Sequence, residues 1–140
     1  MNELITYADL KRLEAEVAKL PQVDFPLQHE YIDGVYVRKG FIPANSVIVG
    51  KIHATEHVVI IVTGRILVVS QDGGRKELVA GDMFVSGPGT KRAGYALEDT
   101  VCINVHTNKD NDRDLAVLES KLIIPEQLGY EQKEALCGQP

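Results

Sequence analysis

Between Asp24 and Asn108 the chain signals a change of direction roughly every eight to twelve residues. The signals are Asp33-Gly34, Pro43 to Ser46, Gly64, Gln71 to Gly74, Gly81-Asp82, Gly87-Pro88-Gly89 and Glu98-Asp99. Gln71-Asp-Gly-Gly74 is the clearest hairpin among them, because Asp-Gly accepts the positive φ of a tight turn. Crossover helices for a parallel sheet need more chain than these intervals provide. The spacing therefore predicts an antiparallel sandwich or small barrel. Its strands are expected at 35–42, 47–53, 57–63, 65–70, 75–79, 83–86, 90–96 and 100–106, with an extended edge segment at 25–30 around Pro26.

A helix is expected at each end. Residues 6–20 place Leu10, Leu13, Val17 and Leu20 on one stripe, with Thr6 and Asp9 spaced as an N-terminal capping box and Pro21 as a stop. That stripe must bury against the chain's own barrel or a partner subunit. Residues 112–123 place Leu115, Leu118 and Leu122 on one side, and Pro125 ends the run. The organisation is then an N-terminal helix at 1–23, a β-barrel at 24–108, and a C-terminal helix and tail at 109–140.

A net charge of −5 argues against a partner that is a nucleic-acid polymer. No apolar run reaches the ~20 residues of a membrane span, and the N-terminus has no basic-then-apolar leader. The two cysteines, Cys102 and Cys137, form no metal-binding pair and read as free thiols of a reducing compartment. These features give a cytoplasmic location as the expectation.

The candidate site is the stretch Lys51-Ile-His-Ala-Thr-Glu-His57, which joins two expected strands. Strand alternation puts Lys51 and His53 on one face, Thr90 and Arg92 on one face, and Lys91 opposite to Arg92, hence outside. Tyr36 and Arg38 share a face and are expected at the mouth of a pocket. His106 and His29 are further candidates, and either completes a metal site only if it turns inward.

Lys51-x-His53-(x)3-His57-(x)6-Gly64 resembles the first motif of the cupin superfamily, Gly-(x)5-His-x-His-(x)3-Glu-(x)6-Gly. Gly81-Asp82, the strand after it, Gly87-Pro88-Gly89 and Arg92 resemble the second. The likeness covers about residues 34–107 and implies a double-stranded β-helix, a jelly-roll barrel mainly of β structure with a flanking helix at each end. Family metal ligands fall on Lys51, His53, His57 and Arg92. Of these only His53 and His57 can bind a metal, because Arg stays protonated and Lys offers no lone pair until it loses a proton. Two like charges at ~4 Å repel by about 4 kcal/mol at an effective dielectric of ~20. The resemblance thus leads to the expectation of no cofactor, with a divalent metal on His53 and His57 as the alternative.

The same cations suit an anion. Lys51, His53, His57 and Arg92, with Tyr36, Arg38 and His106, are expected to bind a small anionic molecule such as a nucleotide or a phosphorylated or carboxylated metabolite. Glu56 is the carboxylate that would neutralise the cluster internally. Gly50 to His57, Pro88 to Arg92 and Val105-His106-Thr107 further resemble small cupin-like proteins of tailed bacteriophages. That likeness implies an infected bacterial cytoplasm and a sequestering role. The competing readings are a metal-dependent isomerase or dioxygenase, a metal-free acid/base enzyme using His53 or His57, and a virion structural or assembly protein. A homodimer or higher homo-oligomer is expected in each.

Overall fold

The computed structural model describes residues 4–71, 73–126 and 135–138. Helix α1 spans Tyr7–Ala18. The Thr6 hydroxyl accepts from the Asp9 amide at 3.1 Å, and the Asp9 carboxylate accepts from the Thr6 amide at 2.9 Å. The predicted capping box forms with Asp in the place of Glu. The strands are β1 Leu27–Ile32, β2 Gly34–Ile42, β3 Val47–Gly50, β4 His57–Thr63, β5 Arg65–Ser70, β6 Gly74–Val79, β7 Met83–Ser86, β8 Arg92–Ala96 and β9 Thr100–Asn108. Helix α2, Leu115–Leu122, and strand β10, Ala135–Gly138, complete the order.

The strands form two five-stranded antiparallel sheets, β1-β2-β9-β4-β7 and β10-β3-β8-β5-β6. Their inner faces meet at Ile42, Ile61, Ile66, Leu78 and Ala96, the buried centre of the barrel. The two helices cover different parts of it. Leu10 and Val17 of α1 pack on Val49 and Ala93, which point out of the second sheet. Leu118 and Leu122 of α2 pack on Tyr36, which points inward from β2. The apolar stripes of both helices are therefore buried on their own barrel. The tail returns to the second sheet as β10, paired with β3.

Two local expectations are corrected. The strand expected over 47–53 ends at Gly50. Beyond it, Ala54 donates to the Leu122 carbonyl at 2.7 Å, Ile124 donates to the Ile52 carbonyl at 2.9 Å, and His53 bridges Ile123. The chain leaves the sheet to pair with the segment after α2, a partner that local alternation cannot reveal. The second correction concerns Lys91. It does face away from Arg92, but it is fully buried rather than solvated, because α1 lies over that face. Its Nζ meets Glu14 at 2.7 Å and Glu126 at 2.9 Å, and Lys11 bridges the same two carboxylates at 2.7 and 3.4 Å.

Gly64 turns β4 into β5 with φ +92°. A Cβ there would collide with the Asp99 carbonyl and come within 2.6 Å of Thr100 Oγ1. Both the backbone conformation and the space exclude a side chain. Gly64→Ala is expected to cost about 2–4 kcal/mol of stability, read by urea unfolding, whereas Gly81→Ala, where φ is also positive but a Cβ meets nothing within 4 Å, costs about 1 kcal/mol.

Candidate functional site

The register of the first sheet builds the site. His57 opens β4 and stands opposite His106 on β9 and Ser86 on β7; Tyr36 on β2 stands opposite His106. One cross-strand row thus runs Tyr36, His106, His57, Ser86 along the inner face. His53 reaches the row from the segment that leaves β3. Ring centroids lie 4.4 Å apart for His53 and His57, 5.1 Å for His53 and His106, and 4.5 Å for His57 and His106. One nitrogen of each ring lies within 4.8 Å of the others.

These rings are neutral. Burial is the largest cause for each; His57, Arg38 and Arg92 add to it at His53, Arg92 and Arg38 at His57, and His57, His53 and Arg38 at His106. Together they push His53 down to about 3, His57 to about 4 and His106 to about 2. Among the described residues, His57 Nδ1 and both nitrogens of His106 are buried with no hydrogen-bond partner. Buried polar atoms are normally paired, so three orphaned nitrogens on two adjacent rings call for an occupant. The inward turn required of His106 has taken place.

Beside the histidines lies a cavity of about 180 Å³. Its lining is polar at Arg38, His53, His57, Ser86, Arg92 and Asn104 and apolar at Val59 and Phe84, which share the row of Arg38 and Asn104, and at Ile61, Ile66 and Leu78. Arg92 donates to Ser86 Oγ and lies 5.0 Å from the centre of the Phe84 ring. Hydrogen bond and cation–π contact hold the guanidinium at the cavity wall. Cys102 also lines the cavity, and burial raises its thiol pKa, so it stays protonated.

The remaining candidates separate. Tyr36 is buried behind His106, stacked at 5.5 Å, and its hydroxyl meets His29 Nδ1 at 2.6 Å. Tyr36 and His29 thus back the site, while Arg38 faces the cavity. Lys51 lies at the rim, lining both the cavity and a cleft between α1 and α2 that holds Glu14, Glu119 and Glu126. Burial lowers its pKa, against the charge of those carboxylates. Glu56 is exposed. Ser86 and Asn104 escaped the sequence reading; single polar residues facing inward from apolar strands were the available signal.

The donor set fits a divalent transition metal. Neutral imidazoles are suitable ligands, and His57 and His106 carry buried nitrogens without a hydrogen-bond partner. His53, His57 and His106 are the residues that would hold the ion.

No family model and no curated protein matches this chain. Solved structures do. The chain resembles an RmlC-like cupin from Shewanella frigidimarina at 19% identity and TM-score 0.54, over 71% of this chain and 90% of the other. It resembles KdgF from Halomonas sp. at 19% identity and TM-score 0.52, over 67% and 91%. It resembles ectoine synthase from P. lautus at 12% identity and TM-score 0.58, over 85% and 91%. At these identities the likeness is one of fold: a cupin-type double-stranded β-helix, with a helix added before and after the barrel.

Proposed function

We propose that this protein is a metal-dependent cupin that takes a small carboxylate or phosphate-bearing metabolite. The observation that carries the reading is the convergence of three imidazoles beside the cavity, with unpartnered buried nitrogens on His57 and His106. Arg38 and Arg92, which line the same cavity, match the charge of an anion lying next to the ion. The cations that weaken a bare metal site favour it again once an anion is bound. When bound, the ion supplies a Lewis acid that polarises a ligand oxygen. Arg92, fixed by Ser86 and Phe84, orients the anion, and the apolar lining excludes water from it.

Cavity size narrows the ligand. About 180 Å³ is below the ~300 Å³ where pockets for drug-sized molecules begin. A metabolite of a few carbons with one charged end is favoured over a nucleotide.

The test is metal analysis and thermal melting of protein purified without added metal. About one transition-metal ion per chain is expected, removed by chelator with a fall in melting temperature and restored by Zn²⁺, Mn²⁺, Fe²⁺ or Ni²⁺. Malonate or phosphoenolpyruvate at millimolar concentration is expected to raise the melting temperature of the metal-loaded protein by several degrees, and Arg92→Gln to abolish that rise. Chelator without effect on melting, together with no uptake of any of the four ions, would overturn the metal reading. An anion effect surviving in Arg92→Gln would overturn the role of Arg92.

A further inference from the structure

Gly50 ends β3 between Val49, which packs outward beneath α1, and Lys51 at the cavity rim. Alternation therefore turns Gly50 toward the cavity, which it lines beside Arg92. Its φ is not positive, so its backbone suits any residue. A Cβ there would meet only the Arg92 carbonyl oxygen, at 3.8 Å, an ordinary contact. Neither backbone nor packing calls for glycine, and a strand glycine costs stability. What Gly50 leaves is open space, as strand glycines do where a ligand comes close.

Asn104 lines the same cavity from the first sheet, two residues before His106 on β9 and so ~7 Å along the strand from it. Its cross-strand neighbours are Arg38 and Val59. From the second sheet the cavity is lined by Ile48, Gly94 and Val68, one cross-strand row without a hydrogen-bonding side chain. The space thus has a polar edge on the first sheet and an apolar face on the second. His57, 7% exposed and with its Nδ1 unpartnered, marks this cavity as a place for a ligand.

We infer that the ligand is a short hydroxy acid with an aliphatic end, its hydroxyl held by Asn104 and its bulk admitted by Gly50. The inference rests on the proposed function for the place of the acid beside His53, His57 and His106. A phosphate carries oxygens in every direction and would turn some toward Ile48 and Val68, where nothing pairs them. A carboxylate and a hydroxyl lie along one edge of a short carbon chain and leave its methyl groups for the apolar face. Asn104 is neutral and both donates and accepts, which suits a hydroxyl better than a second carboxylate. The ~7 Å between the His106 and Asn104 positions puts the hydroxyl beyond the carbon next to the carboxylate, as in a 3-hydroxy acid.

Calorimetric titration of the full chain, with Zn²⁺ supplied and again after chelator treatment, tests this with 3-hydroxy-3-methylbutyrate, with isovalerate, which lacks the hydroxyl, and with 3-hydroxypropionate, which lacks the methyl groups. The first should bind about 10-fold more tightly than either of the others. Asn104→Leu should erase the preference over isovalerate and leave the affinity for isovalerate within about 2-fold. Gly50→Ala should melt no lower than the wild type, bind 3-hydroxy-3-methylbutyrate about 10-fold more weakly and bind 3-hydroxypropionate within about 2-fold. No heat from any of these acids on protein carrying about one metal ion per chain would overturn the inference and leave the metal site standing. So would a hydroxyl preference that survives Asn104→Leu, or methyl groups admitted equally well by Gly50→Ala. The expected preferences in protein that takes up no metal would overturn the metal site alone.

Discussion

Lys91→Met is expected to lower the unfolding free energy by about 3–5 kcal/mol at neutral pH. The lysine is fully buried beneath α1 and meets two carboxylates at 2.7 and 2.9 Å. Removing it leaves Glu14 and Glu126 facing each other with Lys11 as the cation hydrogen-bonded to both. Methionine fills similar space, so the loss comes from stranded charge rather than from a void. The pH dependence separates the two causes. In the wild type, burial raises the Glu126 pKa but the Lys91 hydrogen bond and charge lower it further, so the net shift is downward. A carboxyl depressed when folded contributes stability above its unfolded pKa and loses it as pH falls through the folded one. In the variant that contribution disappears. The deficit should hold from pH 7 down to the ordinary glutamate pKa of 4.5 and shrink as pH falls below it, read from urea unfolding of both proteins. A deficit independent of pH, or smaller than about 1 kcal/mol, would mean that the network acts like a surface ion pair. The network also ties α1 to the residue immediately before Arg92, so the ligand-binding affinity of Lys91→Met reports whether α1 holds that guanidinium in place.

What the sequence disclosed and what it withheld divide by range. Local chemistry was legible. The Thr6–Asp9 box, the Gln71–Gly74 hairpin and the Gly64 turn depend on neighbouring residues and form where predicted, with Asp72 itself outside the described residues. Direction was legible too: alternation placed Arg92 inward and Lys91 opposite. The environment of Lys91 was not, because the helix that buries it lies 77 residues away in sequence. The same holds for His106. Nothing near it in sequence pairs it with His57; the β4–β9 register does. Motif matching pointed to Lys51 and Arg92 as the residues that had replaced metal ligands, and so to a site lacking metal. The fold supplies a third imidazole from a different strand instead.

His106→Leu should invert the order of stability between metal-free and metal-loaded protein. In metal-free protein, His106 has two buried nitrogens without partners, each costing about 1–3 kcal/mol, while its contacts with Tyr36, His53 and His57 return about 0.5–1.5 kcal/mol apiece. Leucine removes both, so the variant should lie within about 1 kcal/mol of the wild type at pH 7. Acid then separates them. The folded pKa of His106 is depressed to about 2, against 6.5 when unfolded. Below pH 6.5 the unfolded chain takes up a proton that the folded chain refuses, so the wild type loses stability as pH falls toward the folded pKa. By pH 5 that amounts to about 2 kcal/mol, a loss the variant does not share. Metal reverses the ranking. At an ion concentration 1,000 times the dissociation constant the wild type gains about 4 kcal/mol, whereas the variant, with two imidazoles left, gains little. Unfolding curves at pH 7 and pH 5, with chelator and with Zn²⁺, measure all four cases. If His106→Leu is the less stable protein with chelator at both pH values, the imidazole is a structural ring of the core. If it leads at pH 5 with chelator and trails at pH 7 with Zn²⁺, the barrel keeps a costly buried imidazole because the ion repays it.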